Sequence, residues 1–403
     1  MATAASALRV TPFHERTAAL NEGAAWKRWS GYLSAISYEL THDREYAAFR
    51  NTAGLLDVTP LRKYLISGRD AERLLDRIVT RDVSRCAVGQ VYYTPWCDER
   101  GQVLDDGTVA RLGPELFRMT SAEPGFRWLQ RNAVGFEVEL ADVTHELAAL
   151  ALQGPKSRDI LLAAVAGCDV AALPFFRIVP AVIAGARVEI SRTGYTGDLG
   201  YEIWLDNADA LRVWDALLAA GAPHGIVPAG LAALDVARIE AGFILPGVDY
   251  TSAYSALVAA QTSSPFELGL GWAVSAAKRA SYVGRRALEA ERARGAAWAF
   301  VGVAVEWDSL DSLYGRFGLR PALPLTAWRA STPLYARGRQ VGYCTSGCWS
   351  PLLKKYIAIG QVRAAHAAEG TALELEVTVE HQRERAAVRV VPRPFFDPGR
   401  KRA

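Results

Sequence analysis

A pair of adjacent carboxylates, Asp105-Asp106, and a lone glutamate, Glu202, are the side chains in this sequence with the most chemical promise. The pair lies in Gly101-Gln-Val-Leu-Asp-Asp-Gly-Thr-Val-Ala-Arg111. On an alternating strand the two carboxylates point to opposite faces, so one can enter a site while the other caps a turn toward Gly107. Asp-Gly is also a common hairpin dipeptide, and taken alone a turn is the reading these residues favour. Glu202 follows Ser191-Arg-Thr-Gly-Tyr-Thr-Gly-Asp-Leu-Gly200, with glycines at 194, 197 and 200. β-Branched and aromatic residues on both sides predict strand, tight glycine turn, strand. Glycine at this density lets backbone lie close to a ligand or take positive φ. Glu202 stands between Tyr201 and Trp204, and a carboxylate in an aromatic strand is costly to bury unless it meets donors. By residue chemistry alone, a plain hairpin with an exposed glutamate accounts for the stretch.

Other chemistries lack their residues. There is no G-x-S-x-G, no H-E-x-x-H, no Walker glycine loop and no paired C-x2-C. The 6 histidines are scattered. The 5 cysteines are too sparse for a disulfide framework, and Cys344 and Cys348 have no nearby partners to complete a zinc site, so no metal is expected. A reducing, cytoplasmic setting follows. A net charge of +3 gives no grip on nucleic acid or an anionic membrane. No apolar run approaches the ~18 residues that span a bilayer, and residues 1–20 lack the apolar core of a secretory signal.

These residues need a scaffold, and 403 residues are too many for one core. Residues 1–54 read as a largely helical segment carrying Trp26, Trp29, Tyr32 and Tyr38. Strands follow at 62–68, 91–96, 103–112 and 116–120, with helices at about 71–79 and 126–134 by apolar spacing. Gln153-Gly-Pro155 breaks the chain. A second round runs through a helix at 156–165, strands at 176–182 and 186–191, the glycine stretch, and helices ending near 218 and 242. Two related α/β modules are expected, at 55–150 and 151–285. From 286 to 403 short strands dominate, which predicts a small β-barrel or sandwich. The aromatic segment Trp307–Trp328 interrupts it and must either pack on a neighbour or cap a pocket.

Several motifs occur in order: Gln90-Val-Tyr-Tyr93, Gly101-Gln-Val-Leu-Asp-Asp106, Leu152-Gln-Gly-Pro155, Arg192-Thr-Gly-Tyr-Thr-Gly-Asp-Leu-Gly-Tyr-Glu-Ile203, Gly230-Leu-Ala-Ala-Leu-Asp-Val-Ala-Arg-Ile-Glu-Ala-Gly242 and Thr345-Ser-Gly-Cys-Trp-Ser-Pro351. Together, over about 55–394, they resemble the aminomethyltransferase family, founded on the T-protein of the glycine cleavage system. The resemblance implies an α+β fold, a three-domain ring of two related α/β modules and a C-terminal β-barrel, with tetrahydrofolate in the central hole. It implies an enzyme that moves a one-carbon unit between a small molecule and folate. Asp105, the first of its pair, matches the catalytic aspartate near the reacting folate nitrogen. Glu202 matches the glutamate that holds the pterin, whose edge offers two adjacent N–H donors to one carboxylate. Tyr93 matches a tyrosine beside the folate, and Phe176 of Phe175-Phe176 an aromatic near the pocket. Tyr201 is grouped with this cofactor-binding set. Tyr250, or else Tyr254, is the candidate proton donor to a leaving group.

The chain also departs from the family. T-proteins read Asp-Val-Ser-His where this chain has Asp57-Val-Thr-Pro60, and Ala-Arg-Asp where it has Ala233-Leu-Asp235. The second change removes a fixed cation. These departures favour demethylation of an O-, N- or S-methyl donor over glycine-cleavage aminomethyl transfer, and make a lipoyl carrier protein an unlikely partner. A non-catalytic folate-binding accessory protein is the third reading. Relatives of that kind carry Lys-Gly-Cys-Tyr-x-Gly-Gln-Glu, where this chain reads Leu245-Pro-Gly-Val-Asp-Tyr250.

Overall fold

The structure is a computed structural model that describes residues 8–403. Among the described residues, the main parts are two antiparallel-rich sheets and a closed barrel, with a central cavity lined from both sheets. The first sheet has the strand order Val91–Cys97, Val103–Gly113, Leu116–Ser121, Arg62–Ser67, Glu139–Asp142. Helices Ala71–Ile78 and Phe126–Asn132 cover one face, burying Leu74, Leu75, Ile78, Trp128 and Leu129 against Tyr64, Ile66 and Phe117. Their apolar residues recur at helical spacing, so one side of each helix meets the sheet.

The second sheet is seven-stranded, with Gly200–Asp206, Leu147–Gln153 and Ala53–Asp57 adjacent near its centre. Helices Ser157–Ala164 and Ala210–Gly221 pack on its outer face through Ile160, Leu161, Trp214 and Leu217. This topology corrects the boundaries expected at 54/55 and 150/151. Ala53–Asp57 pairs antiparallel with Leu147–Gln153, Leu55 opposite Leu152. The first sheet is therefore an excursion of the chain between two neighbouring strands of the second. Residues 1–54 are also less helical than expected, because Trp26–Trp29 and Tyr32–Ala35 form a hairpin.

The two sheets join edge to edge. The Val91 N–H donates to the Phe176 carbonyl (2.9 Å), and the Ile178 N–H to that of Gly89 (3.0 Å). Phe176 takes a φ of 60° at this junction, a left-handed backbone that a bulky residue rarely adopts.

Six strands close the C-terminal barrel, in the order Trp298–Val305, Lys355–Arg363, Arg339–Ser350, Thr332–Ala336, Ala372–Val379, Gln382–Val391. Closure removes the exposed edges that a sandwich of so few strands would keep. Helix Leu231–Glu240 lies at the junction of all the parts. Its small residues Ala233 and Ala237 let it pack closely on Tyr46, Phe49, Ile357 and Ile359. Charged groups on it are buried but paired, as burial requires. Glu240 accepts from Arg50 Nη2 (2.7 Å) and from the hydroxyls of Tyr46 and Ser350 (both 2.5 Å).

The segment Trp307–Trp328 was expected to pack on a neighbour or to cap a pocket; its helix packs on the barrel that it interrupts, and none of its residues is on the cavity wall. Helix Trp307–Gly315 packs on the barrel through Leu310 and Leu313, against Val379 and Ala386. The chain then runs back toward the cavity, reaching its wall at Arg329.

Candidate active site

The central cavity has a volume of about 1230 Å³ and is lined by both sheets, the N-terminal hairpin, the helix Leu231–Glu240 and the residues that follow it. The first sheet supplies Tyr93, Asp106 and Thr108 to the wall. The pair Asp105-Asp106 is not in a turn. The strand continues for 11 residues through Gly107, where the neighbouring strand approaches so closely that a Cβ would run into the Thr120 carbonyl. Alternation then sends the two carboxylates to opposite faces.

Asp106 faces the cavity, and Asp105 does not. The expectation gave the reacting role to Asp105, the first of the pair, whereas the carboxylate on the cavity wall is the second. Asp105 is 3% exposed, and its oxygens accept from the backbone N–H groups of Asp106 (2.8 Å) and Glu123 (3.0 Å). It ties the strand to the loop beside it. Asp106 accepts from two phenols, Tyr250 (2.5 Å) and Tyr93 (2.7 Å), one on each oxygen. Burial and the neighbouring Asp106 push the Asp105 carboxyl well above the ordinary range. Burial raises Asp106 too, opposed by the hydrogen bonds from Tyr250 and Tyr93. Of the two, Asp106 is the better placed to keep the negative charge.

Tyr250 stands behind Asp106, buried, outside the cavity wall, with its hydroxyl also 3.4 Å from Asp105. Its hydroxyl already donates to a carboxylate, and burial lifts its pKa well above the phenol range. Its hydroxyl is thereby committed to Asp106. Tyr254 is 58% exposed and packs edge-on against Trp128, away from the cavity. Neither tyrosine, the proton donors expected from sequence, is on the cavity wall.

The second sheet supplies Glu202, Trp204, Phe175 and Phe176. Glu202 and Trp204 share one face of the strand Gly200–Asp206. Tyr201 and Ile203 share the other, which is the core of the second module. Tyr201 is fully buried there, its hydroxyl accepting from Arg158 Nε (3.1 Å). The period of two thus places Tyr201, expected among the cofactor-binding residues, in the core and not on the cavity wall. Glu202 accepts a single hydrogen bond among the described residues, from Thr193 Oγ1 (2.6 Å), and burial raises its pKa. The glycine turn before it is built around Gln153. A Cβ on Gly194 or Gly200 would run into the Gln153 carboxamide, which donates to the carbonyls of Thr193 (3.2 Å) and Tyr201 (3.3 Å). Only Gly197 of the three has positive φ, 75°. The glycines make room for a side chain that fixes Glu202's strand.

Several wall residues escaped the sequence reading, among them three aromatics and an arginine. Trp272 stacks on Tyr93 at 6.0 Å, and Tyr195 on Phe243 at 5.5 Å. Tyr195 stood inside the glycine motif and Trp272 at the end of Ser264–Trp272, but only their neighbours in space reveal a wall. Arg393 lies on the same wall with its Nη1 on the Gly242 carbonyl (2.7 Å).

Comparison with known proteins follows the same division of the chain. The family described as GCVT N-terminal domain matches residues 13–278, and that described as glycine cleavage T-protein C-terminal barrel domain matches residues 316–397. An aminomethyltransferase of Halothermothrix orenii is 36% identical over 379 residues, 93% of this chain and 96% of the relative. A trimethylamine-oxide aldolase of Ruegeria pomeroyi is 34% identical over 97% of this chain, a match that spans 47% of that protein. Among solved structures, glycine cleavage system aminomethyltransferase T from Bartonella henselae matches with a TM-score of 0.81 at 26% identity, covering 97% of this chain and 98% of that one.

Proposed function

The chain belongs to the glycine cleavage T-protein family of tetrahydrofolate-dependent one-carbon transferases, and we propose that it catalyses aminomethyl transfer of the glycine-cleavage type, with Asp106 as the reacting carboxylate. The observation that carries this reading is Asp106 on the cavity wall, held by two phenols, in the same cavity as Glu202. Residues of the wall suit a reduced pterin. Glu202 keeps acceptor capacity beyond its bond to Thr193, and Phe176 and Trp204 offer flat apolar surface beside it. Bound tetrahydrofolate supplies the nitrogen nucleophiles that carry the one-carbon unit. Glu202 would anchor the pterin edge through charge-assisted hydrogen bonds. Asp106 would orient the ligand and accept or stabilise a proton at its carboxylate while the unit is transferred. Tyr93 and Tyr250 hold that carboxylate still, so little reorganisation is needed at the moment of reaction.

The curated relatives shift the weight from demethylation toward aminomethyl transfer, and with it toward a lipoyl carrier protein as donor. Demethylation stays as the second reading because Leu234 lines the cavity and gives it apolar surface where the family pattern has a cation. The similarity to a protein named for trimethylamine oxide points to small methylated amines as the donors to try. A reducing, cytoplasmic setting suits either reaction.

The test is anaerobic incubation of the purified protein with tetrahydrofolate and, in separate vessels, an aminomethyl-loaded lipoyl carrier and a panel of methylated amines, ethers and sulfonium compounds. The expected result is 5,10-methylene-tetrahydrofolate and ammonia from the carrier only. 5-Methyl-tetrahydrofolate from a methylated donor establishes the second reading instead, and no folate product from any donor removes both.

A further inference from the structure

Two features that looked unrelated in the sequence, Leu234 and the aromatic segment ending at Trp328, meet in space. Leu234 and Asp235 sit on the cavity side of helix Leu231–Glu240. Asp235 Oδ1 accepts from Arg238 Nε (2.8 Å), and its Oδ2 from Arg329 Nε (2.7 Å). The two arginines are not equivalent. Arg238 is 1% exposed and committed at every nitrogen, its Nη1 to Asp249 (2.6 Å) and Phe243 and its Nη2 to Ser346. Arg329 uses only Nε among the described residues, and its side chain is 30% exposed on the cavity wall.

Arg329 is delivered to this place by a fixed anchor. Trp328, the residue before it, exchanges two backbone hydrogen bonds with Gly347 (2.8 and 3.1 Å), and its indole donates to the Tyr356 hydroxyl (2.7 Å). Gly347 has no side chain because the Trp328 ring occupies that space. Asp235 holds the guanidinium at Nε, and Nη1 and Nη2 have no partner among the described residues, which leaves the pair of donors that can grip a carboxylate with two parallel N–H bonds. Lys27, on the N-terminal hairpin, lines the same cavity with no hydrogen-bond partner among the described residues. Partial desolvation and the nearby Arg329 lower its pKa, opposed by Asp235. Asp235 is shared between two guanidiniums and Asp249 is bound by one of them, so Arg329 and Lys27 leave the wall with surplus positive charge.

We propose that Arg329 Nη1 and Nη2, with Lys27, form a carboxylate-binding site beside Leu234 on the wall of the central cavity. The cation missing from position 234 is thereby supplied from the C-terminal part of the chain. In the folate reading on which this rests, the carboxylate belongs either to the glutamyl tail of tetrahydrofolate or to a carboxylated one-carbon donor.

The test uses the full chain and two variants, Arg329→Gln and Arg329→Lys, each checked by thermal unfolding. Anaerobic titrations compare tetrahydrofolate with 6-methyltetrahydropterin, which has the ring and no tail. In a second arm, at saturating tetrahydrofolate, N,N-dimethylglycine is compared with its amide. Arg329→Gln is expected to weaken one carboxylated ligand by about tenfold or more while leaving its uncharged counterpart unchanged, with Arg329→Lys intermediate. Loss in the first arm assigns the site to the folate tail; loss in the second assigns it to the donor. Equal losses for charged and uncharged ligands, or none in either arm, overturn the proposal and leave the folate reading intact. If the unaltered protein binds neither reduced pterin nor tetrahydrofolate, the folate reading itself fails and this proposal falls with it.

Discussion

The two sheets each bring one carboxylate to the cavity, and they hold it in opposite ways. Asp106, on the first sheet, has a phenol on each oxygen, from Tyr93 and Tyr250. Glu202, on the second, has one hydroxyl, from Thr193. A buried carboxylate with both oxygens engaged is fixed in place and in charge, which suits a group that must act on a reacting atom. A half-buried carboxylate with spare acceptor capacity on a cavity wall is open to a ligand's donors. The difference separates chemistry from binding, and each wall can be broken without the other.

The largest effect is expected at Asp106. Asp106→Asn keeps the shape but not the charge, and turnover should fall by roughly 10²–10⁴-fold, the usual worth of a positioned acid–base group. Tetrahydrofolate affinity, measured by anaerobic titration, should stay within about threefold because Glu202 is untouched. Asp105→Asn provides the contrast. It should act through the backbone ties to Asp106 and Glu123 and lower turnover much less. Equal losses for the two variants would erase the distinction drawn between the faces of this strand.

Glu202→Gln comes next and should invert the pattern. Losing charge-assisted bonds to the pterin is worth about 1.5–3 kcal/mol, so the Kd for tetrahydrofolate should rise by roughly 10–100-fold. Turnover at saturating folate should be nearly retained. A fall in saturated turnover with unchanged affinity would move Glu202 from the binding wall to the reacting one.

Much of this contrast was legible before the fold was known, and the limits have physical causes. Helices with strong apolar spacing, such as Ala71–Ile78, and most barrel strands follow from local pattern. Thr332–Ala336 was hidden because it is short, holds a proline and takes its partners from both directions along the chain. That residues 62–142 form an excursion between paired strands depends on Leu55 meeting Leu152, a contact no local window contains. The same reason hid that Asp106, and not Asp105, lines the cavity. Alternation assigns the pair to opposite faces, but which face is inward is set by pairing with Val91–Cys97, where Asp105 lies opposite Trp96 and Asp106 opposite Pro95. Glu202 needed no such choice, because the motif around it specified one residue. Arg329 carried no signal at all, since its meaning comes from Asp235, far away in sequence.

A smaller effect tests how Asp106 is held. The Tyr250 hydroxyl donates to the ionised carboxylate and so lowers its pKa against the upward push of burial. Tyr250→Phe removes that donor, which disfavours the charged form and raises the pKa. The carboxylate is then lost at higher pH, and the acid limb of the kcat/KM profile should move up by about one unit. An acid limb that stays in place, or moves down, would mean that the phenol does not hold the reacting carboxylate.

The smallest effect is expected at Tyr201, next to Glu202 in sequence and on the opposite face of the strand. Tyr201→Phe removes one hydroxyl that accepts from Arg158 and leaves the ring packed in the core with Ile203, Leu152 and Leu161. A lost hydrogen bond of this kind costs about 1 kcal/mol of stability, a small shift in thermal midpoint for a chain this long. Folate affinity and turnover should both match the unaltered protein. The period of two makes this a strict test, because a strand slipped by one residue would exchange the faces. Tyr201 would then enter the cavity and Glu202 the core. A change in folate affinity without a change in stability would reveal that exchange.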